Sequence, residues 1–214
     1  MIKKLIYILI LFITFSHPAS AQTQNAYLEY SGYQYAFKPG DEAKFLKNAN
    51  SNILLFEKST ETAERVFYLQ EAMRYYFLLS KIKPKSIDAQ IGLGRIYDEL
   101  GLDSYAKKHF FVALDFNNKN PRTNYYLGDF YYRRSDLLEA LMYYKKAYAN
   151  GYSNNYKLNY KMAVIYEKLA DIESAKKFYS NTLKITPQNA ELGNKIRLLD
   201  ELNYDKSQYY LFRR

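Results

Sequence analysis

A chain of 214 residues that is 48% hydrophobic and 25% charged, with 8 Gly and 5 Pro, is globular, with room for one or two domains. It contains no cysteine, which excludes disulfides, thiol catalysis and lipid attachment through a cysteine behind a leader. The formal charge of +9 fits a solvated basic surface first, and anionic partners such as lipid headgroups, acidic glycans or acidic proteins second, and no nucleic-acid motif accompanies it.

The first segment carries Lys3 and Lys4, then an apolar run from Leu5 to Phe15, then the small residues Ala19-Ser20-Ala21. The run is 11 residues long, whereas spanning a bilayer takes roughly 20. This order predicts a cleaved secretory signal peptide over 1–21, a mature start at Gln22 and a periplasmic or secreted protein. No transmembrane segment is expected after cleavage. His17 leaves with the signal, so His109 is the histidine of the mature chain.

Residues 22–40 form an aromatic-rich arm with Tyr27, Tyr30, Tyr33, Tyr35 and Phe37, closed by Pro39-Gly40. Two helices are predicted next, over 41–58 and 61–82, the first with Ala43, Leu46, Ala49 and Ile53 on one face.

Beyond them a pattern returns at a fixed spacing. Gly94, Tyr97, Ala106, Phe110 and Ala113 recur 34 residues later as Gly128, Tyr131, Ala140, Tyr144 and Ala147. A third copy follows after 35 residues, as Ala163, Tyr166, Ala175, Tyr179 and Thr182, with the extra residue placed in 149–155. Upstream the match fades: Ala72 and Tyr76 precede Ala106 and Phe110 by 34, and Pro84 sits where Pro187 does, so 41–86 is a degenerate hairpin of the same kind. The abundance of Tyr in this chain does not produce a shared offset.

Each copy reads as two helices. Leu93, Ile96, Tyr97 and Leu100 have the i, i+3, i+4, i+7 spacing of an amphipathic helix. Gly101 ends it, and Asp103 is a good cap for a second helix carrying Ala106, Phe110, Ala113 and Leu114 on one face. Asp136 with Glu139 has the form of a capping box, and Asp171 takes the matching place in the last copy. Small residues allow close helix approach and the rings beside them fill the space, so Tyr131 and Tyr144 are both expected in the core. Such a hairpin cannot bury its apolar face alone, so copies must stack. Ile196, Leu199 and Leu202 give 190–203 the pattern of a capping helix, before a tail at 204–214.

The pattern resembles the tetratricopeptide repeat, a helix-turn-helix unit of 34 residues. Leu127-Gly128, Tyr131, Ala140, Tyr144 and Ala147 match that family closely, and good copies cover 87–120, 121–154 and 156–189. The consensus Trp of the first helix is replaced by Gln90, Asn124 and Asn159. The resemblance implies an all-α, right-handed superhelical solenoid whose first helices line a concave groove for a protein or peptide partner. Carried over residue by residue, the groove comprises Ile91, Arg95 and Asp98, then Arg122, Tyr125, Asp129, Tyr132 and Arg133, then Lys157, Tyr160, Val164, Glu167 and Lys168. One subfamily grips a C-terminal carboxylate with a Lys/Asn/Arg clamp; Lys157 and Lys161 fit its last part, but Ile91 and Arg95 do not fit its first.

No catalytic set is legible. His109 is expected on the surface beside Lys107 and Lys108, without partners for a Ser-His-Asp or Cys-His arrangement or for a metal. Asp98-Glu99 and Asp200-Glu201 point to different helix faces, and Gly92-x-Gly94 lies inside a helix and lacks the rest of a phosphate loop. The sequence predicts no enzyme, no cofactor and no metal. It predicts an exported interaction scaffold of the bacterial envelope, with a glycan- or peptidoglycan-binding module, its groove tyrosines stacked on sugar rings, as the alternative.

Overall fold

The computed structural model describes residues 38–211, with side chains described to residue 201. Every regular element among them is helical. In chain order these are α1 (Asp41–Lys58), α2 (Thr62–Ile82), α3 (Ile87–Glu99), α4 (Asp103–Phe116), α5 (Pro121–Arg133), α6 (Leu137–Ala147), a wide π-type turn at Tyr148–Tyr152, α7 (Tyr156–Lys168), α8 (Ile172–Ile185) and α9 (Ala190–Leu211). The signal segment and nearly all of the aromatic arm lie outside the described residues.

The chain divides into two compact units, one ending at Phe116 and one beginning at Asn117. In the first, Phe45, Ala49 and Ile53 of α1 pack with Leu69, Ala72, Tyr76 and Leu79 of α2 and with Leu93 and Ile96 of α3. The buried stripe of α1 is thus shifted from the expected one: Ala43 is exposed and Phe45 replaces it. The reason is the partner. An isolated helix pattern tolerates several faces, and the long helix α2 selects the one with the larger ring.

In the second unit α5 pairs with α6, α7 with α8, and α9 closes the stack over α8. Its core contains Ala140, Tyr144, Leu158, Met162, Ala163, Ala175 and Tyr179, with Leu192 and Leu199 contributed by α9. Close approach is literal at Gly128, where a Cβ would stand less than 3.0 Å from the Tyr144 ring. Arg197 of α9 occupies the place that Gly128 and Ala163 hold in the copies before it, and it is exposed. A charged chain at the small site leaves no seat for a further ring, which suits a helix that ends a stack.

The caps repeat with the units. Ser86, Asn120, Asn155 and Asn189 accept hydrogen bonds from the backbone N–H groups of Ala89, Thr123, Leu158 and Leu192, at 3.2, 2.9, 3.0 and 3.0 Å. Each satisfies a donor that the first turn would leave orphaned. Asp136 and Asp171 do the same for α6 and α8, accepting from Glu139 N and Ser174 N. Asp103, by contrast, is the first residue inside α4 rather than the residue before it. Between the paired helices, Gly101, Ser135 and Ala170 all take the left-handed conformation, with φ of 72°, 61° and 58°. The turn therefore imposes one backbone geometry whatever the side chain, and only Gly101 meets it without strain. The extra residue of the last copy is absorbed in the π-type turn, where Gly151 has φ 114°.

Candidate functional site

The first helices of the second unit carry two polar clips built on one plan. Tyr144 on α6 is fully buried and its hydroxyl donates to Asp129 Oδ1 on α5 at 2.5 Å. Lys161 on α7 donates to the same oxygen at 2.6 Å and to the Tyr125 hydroxyl at 3.2 Å. One repeat later, the Tyr179 hydroxyl donates to Glu167 Oε2 at 2.6 Å, and Lys195 on α9 pairs with Glu167 Oε1 at 2.9 Å. In both clips a core tyrosine and a lysine from the next helix converge on one carboxylate.

The electrostatics follow from that enclosure. Burial first, and the Asp129 carboxylate second, push the Tyr144 hydroxyl far above its ordinary range. Burial and Glu167 push Tyr179 upward in the same way. Glu167 itself is raised by burial, but the hydrogen bonds from Tyr179 and Lys195 outweigh it and hold the carboxyl below its ordinary value. Both tyrosines are therefore fixed donors and Glu167 is a fixed anion, its charge answered within the chain. These groups hold the helices in register and have no proton to exchange near neutrality.

Around the clips the groove residues separate by exposure. Tyr160 is 47% exposed and meets the Tyr179 ring edge-on at 5.8 Å. Tyr132 is half-buried beneath Lys168, whose Nζ lies 5.8 Å from the ring centroid. Arg133, Lys157 and Lys168 are exposed, while Arg122, Val164 and Glu167 are partly so. Tyr125 is a core residue at 7% exposure, its ring among Tyr126, Tyr144 and Tyr152. Asp129 is likewise buried and committed to its clip. In the first unit Ile91 and Asp98 are buried, and Arg95 is half-buried, paired with Glu57 at 2.9 Å. Of the thirteen positions, Ile91, Asp98, Tyr125 and Asp129 thus present little surface to a partner. Spacing along a helix places a residue on a face, but the neighbouring helix decides how much of that face stays open.

Tyr131, expected in the core, is only half-buried. It stacks on Tyr143 at 5.5 Å with 5° between the planes. The same pair recurs as Tyr166 on Phe178, at 5.5 Å and 8°, and as Tyr97 on His109, at 5.2 Å and 11°. His109 is accordingly a stacking residue and not a surface histidine. Its Nδ1–H donates to Gln90 Oε1 at 2.7 Å, and burial, aided by Lys108, lowers its pKa to about 4. The signal was in the sequence, since His109, Tyr143 and Phe178 share the register of the repeat.

The replaced tryptophan sites have their own solution. Asn124 and Asn159 are fully buried, and each side-chain N–H₂ group bonds two carbonyls of its preceding turn: Asn118 and Asn120 in one case, Ser153 and Asn155 in the other. A polar tie to the turn stands where an indole would have filled space. Among the described residues no group of three or more His, Cys, Asp or Glu could hold a metal ion, and no helix is long and apolar enough to cross a membrane.

No protein-family model and no curated protein sequence matches the chain. Solved structures do. The crystal structure of MamA is 17% identical with a TM-score of 0.57, covering 81% of this chain and 90% of that one. PilF of Pseudomonas aeruginosa is 15% identical with a TM-score of 0.63, covering 79% and 73%. YrrB, described as a TPR protein with an unusual peptide-binding site, is 18% identical with a TM-score of 0.53, covering 73% and 76%. The fold is that of the tetratricopeptide-repeat solenoid. Within it, the ring-on-glycine contact of Tyr144 and the left-handed turn at Ser135 shape the α5–α6 hairpin.

Proposed function

We propose that the protein is an exported interaction scaffold that holds a segment of a partner protein against the first helices of its second unit. The observation that carries this reading is that the half-buried Tyr132 and the 47% exposed Tyr160 stand on α5 and α7, the helices whose Asp129 and Glu167 are each clipped by a core tyrosine and a lysine of this chain. Rings with a polar rim, on helices locked in register, give contact area without ordering cost. That the peptide-binding YrrB shares the fold supports the same reading.

The test is affinity isolation from the cells that make the protein, comparing the wild-type chain with a Tyr132→Ala/Tyr160→Ala double variant. The variant should weaken retention of a specific partner by about 2 kcal/mol or more, roughly 30-fold, with its helical signal unchanged. Equal retention would refute the assignment, and retention on purified peptidoglycan instead would transfer the rings to a sugar ligand. Export is tested by N-terminal sequencing of the protein outside the cytoplasm. Gln22 is expected, and Met1 there would overturn it.

A further inference from the structure

A second surface lies on the second helices of the same unit. Leu138, Met142, Lys145 and Lys146 follow one another at i, i+4, i+7 and i+8 on α6, so they share a face. Leu138 is 70% exposed and Met142 37%. The lysines are exposed, and each is held over a ring: Lys146 over Tyr143 at 4.9 Å, and Lys145 over Tyr166 of the following repeat at 5.5 Å. Tyr166 stacks on Phe178, and Lys177 of α8 lies over Phe178 at 5.7 Å. One ring stack therefore links the cations of two helices.

These three lysines differ from three others of the unit. Lys161, Lys176 and Lys195 are each paired with a carboxylate of this chain. Lys145, Lys146 and Lys177 make no ion pair among the described residues, and their stems are ordered by aromatic contact instead. The acid near this face is Glu139, close enough to act on the Tyr143 hydroxyl, while Glu173 is engaged with Lys176 at 3.6 Å. The surface thus keeps a positive balance beside two uncovered apolar side chains.

We infer that Lys145, Lys146 and Lys177, with Leu138 and Met142, form a second docking surface, for an acidic amphipathic segment of a protein. Charge complementarity selects carboxylates, and the apolar pair selects a ligand with one greasy edge. A lipid surface fits less well. Tyr143 and Phe178 are only 6% and 7% exposed, which leaves Leu138 and Met142 as the open apolar side chains named on this surface, whereas interfacial anchoring draws on a broad apolar helix face.

The test uses the mature chain and a fluorescent helical peptide of Glu and Leu, read by anisotropy at low and high salt. Wild type should bind it, more weakly as salt rises. Lys145→Gln/Lys146→Gln/Lys177→Gln should weaken binding about ten-fold or more, with unchanged helicity and urea midpoint. Lys44→Gln/Lys47→Gln/Lys58→Gln, which removes the same charge from exposed sites on α1, should bind like wild type. An absence of wild-type binding, or an equal loss in the two triple variants, would overturn the assignment. So would binding of phosphatidylglycerol vesicles or heparin without the peptide. The Tyr132→Ala/Tyr160→Ala variant should bind this peptide normally, which separates this surface from the groove.

Discussion

Gly128→Ala is a small perturbation with opposed effects that can be weighed. In a helix interior, alanine is favoured over glycine by about 1 kcal/mol. Against that, the new Cβ would stand less than 3.0 Å from the Tyr144 ring. Overpacking of this kind costs roughly 1–3 kcal/mol. The ring cannot simply withdraw, because its hydroxyl is tied to Asp129 at 2.5 Å. Giving up that charge-assisted bond would cost a further 1.5–3 kcal/mol, roughly. The net expectation is destabilisation by about 1.5–5 kcal/mol, measured by urea unfolding. Gly193→Ala supplies the control, since nothing lies within 4 Å of a Cβ there. It should be neutral or stabilising by up to about 1 kcal/mol. A Gly128→Ala midpoint equal to or above that of wild type would refute the claim that ring-on-glycine contact fixes this hairpin.

Tyr144→Phe keeps the ring and removes the donor, so it should cost about 1.5–3 kcal/mol in chemical denaturation while Lys161 still pairs with Asp129. Ala140→Leu, at a fully buried site, should cost roughly 1–3 kcal/mol, read as a lowered melting midpoint. Ala170→Gly relieves a left-handed residue with φ 58° and should stabilise by about 0.5–1 kcal/mol in the same assay. His109 sets a pH dependence: its folded pKa of about 4 lies below the ordinary 6.5, so it is neutral when folded. Between these values the unfolded chain binds the extra proton. Its contribution is therefore complete above about pH 6.5 and is lost as pH falls towards 4, by up to roughly 3 kcal/mol. His109→Phe, matching Phe178, should flatten that slope in urea titrations at pH 7 and pH 5.

The sequence by itself determined the helical hairpins of the tetratricopeptide-like units. Small residues and rings at a shared offset can satisfy both helix periodicity and close packing only in that arrangement. The turn at Gly101 and the caps at Asp136 and Asp171 are local chemistry, legible from neighbouring residues. Burial of the ring sites was different. Tyr131 and Tyr144 look alike in the sequence, yet Tyr144 is sealed against Gly128 while Tyr131 leans on Tyr143 at the surface. The same holds for Tyr125, which the family resemblance put in the groove and its neighbours Tyr126, Tyr144 and Tyr152 put in the core. The polar clips were out of reach for the same reason. Lys161 is 32 residues from Asp129 and Lys195 is 28 from Glu167, and only the stacking of one helix on the next brings those charges together.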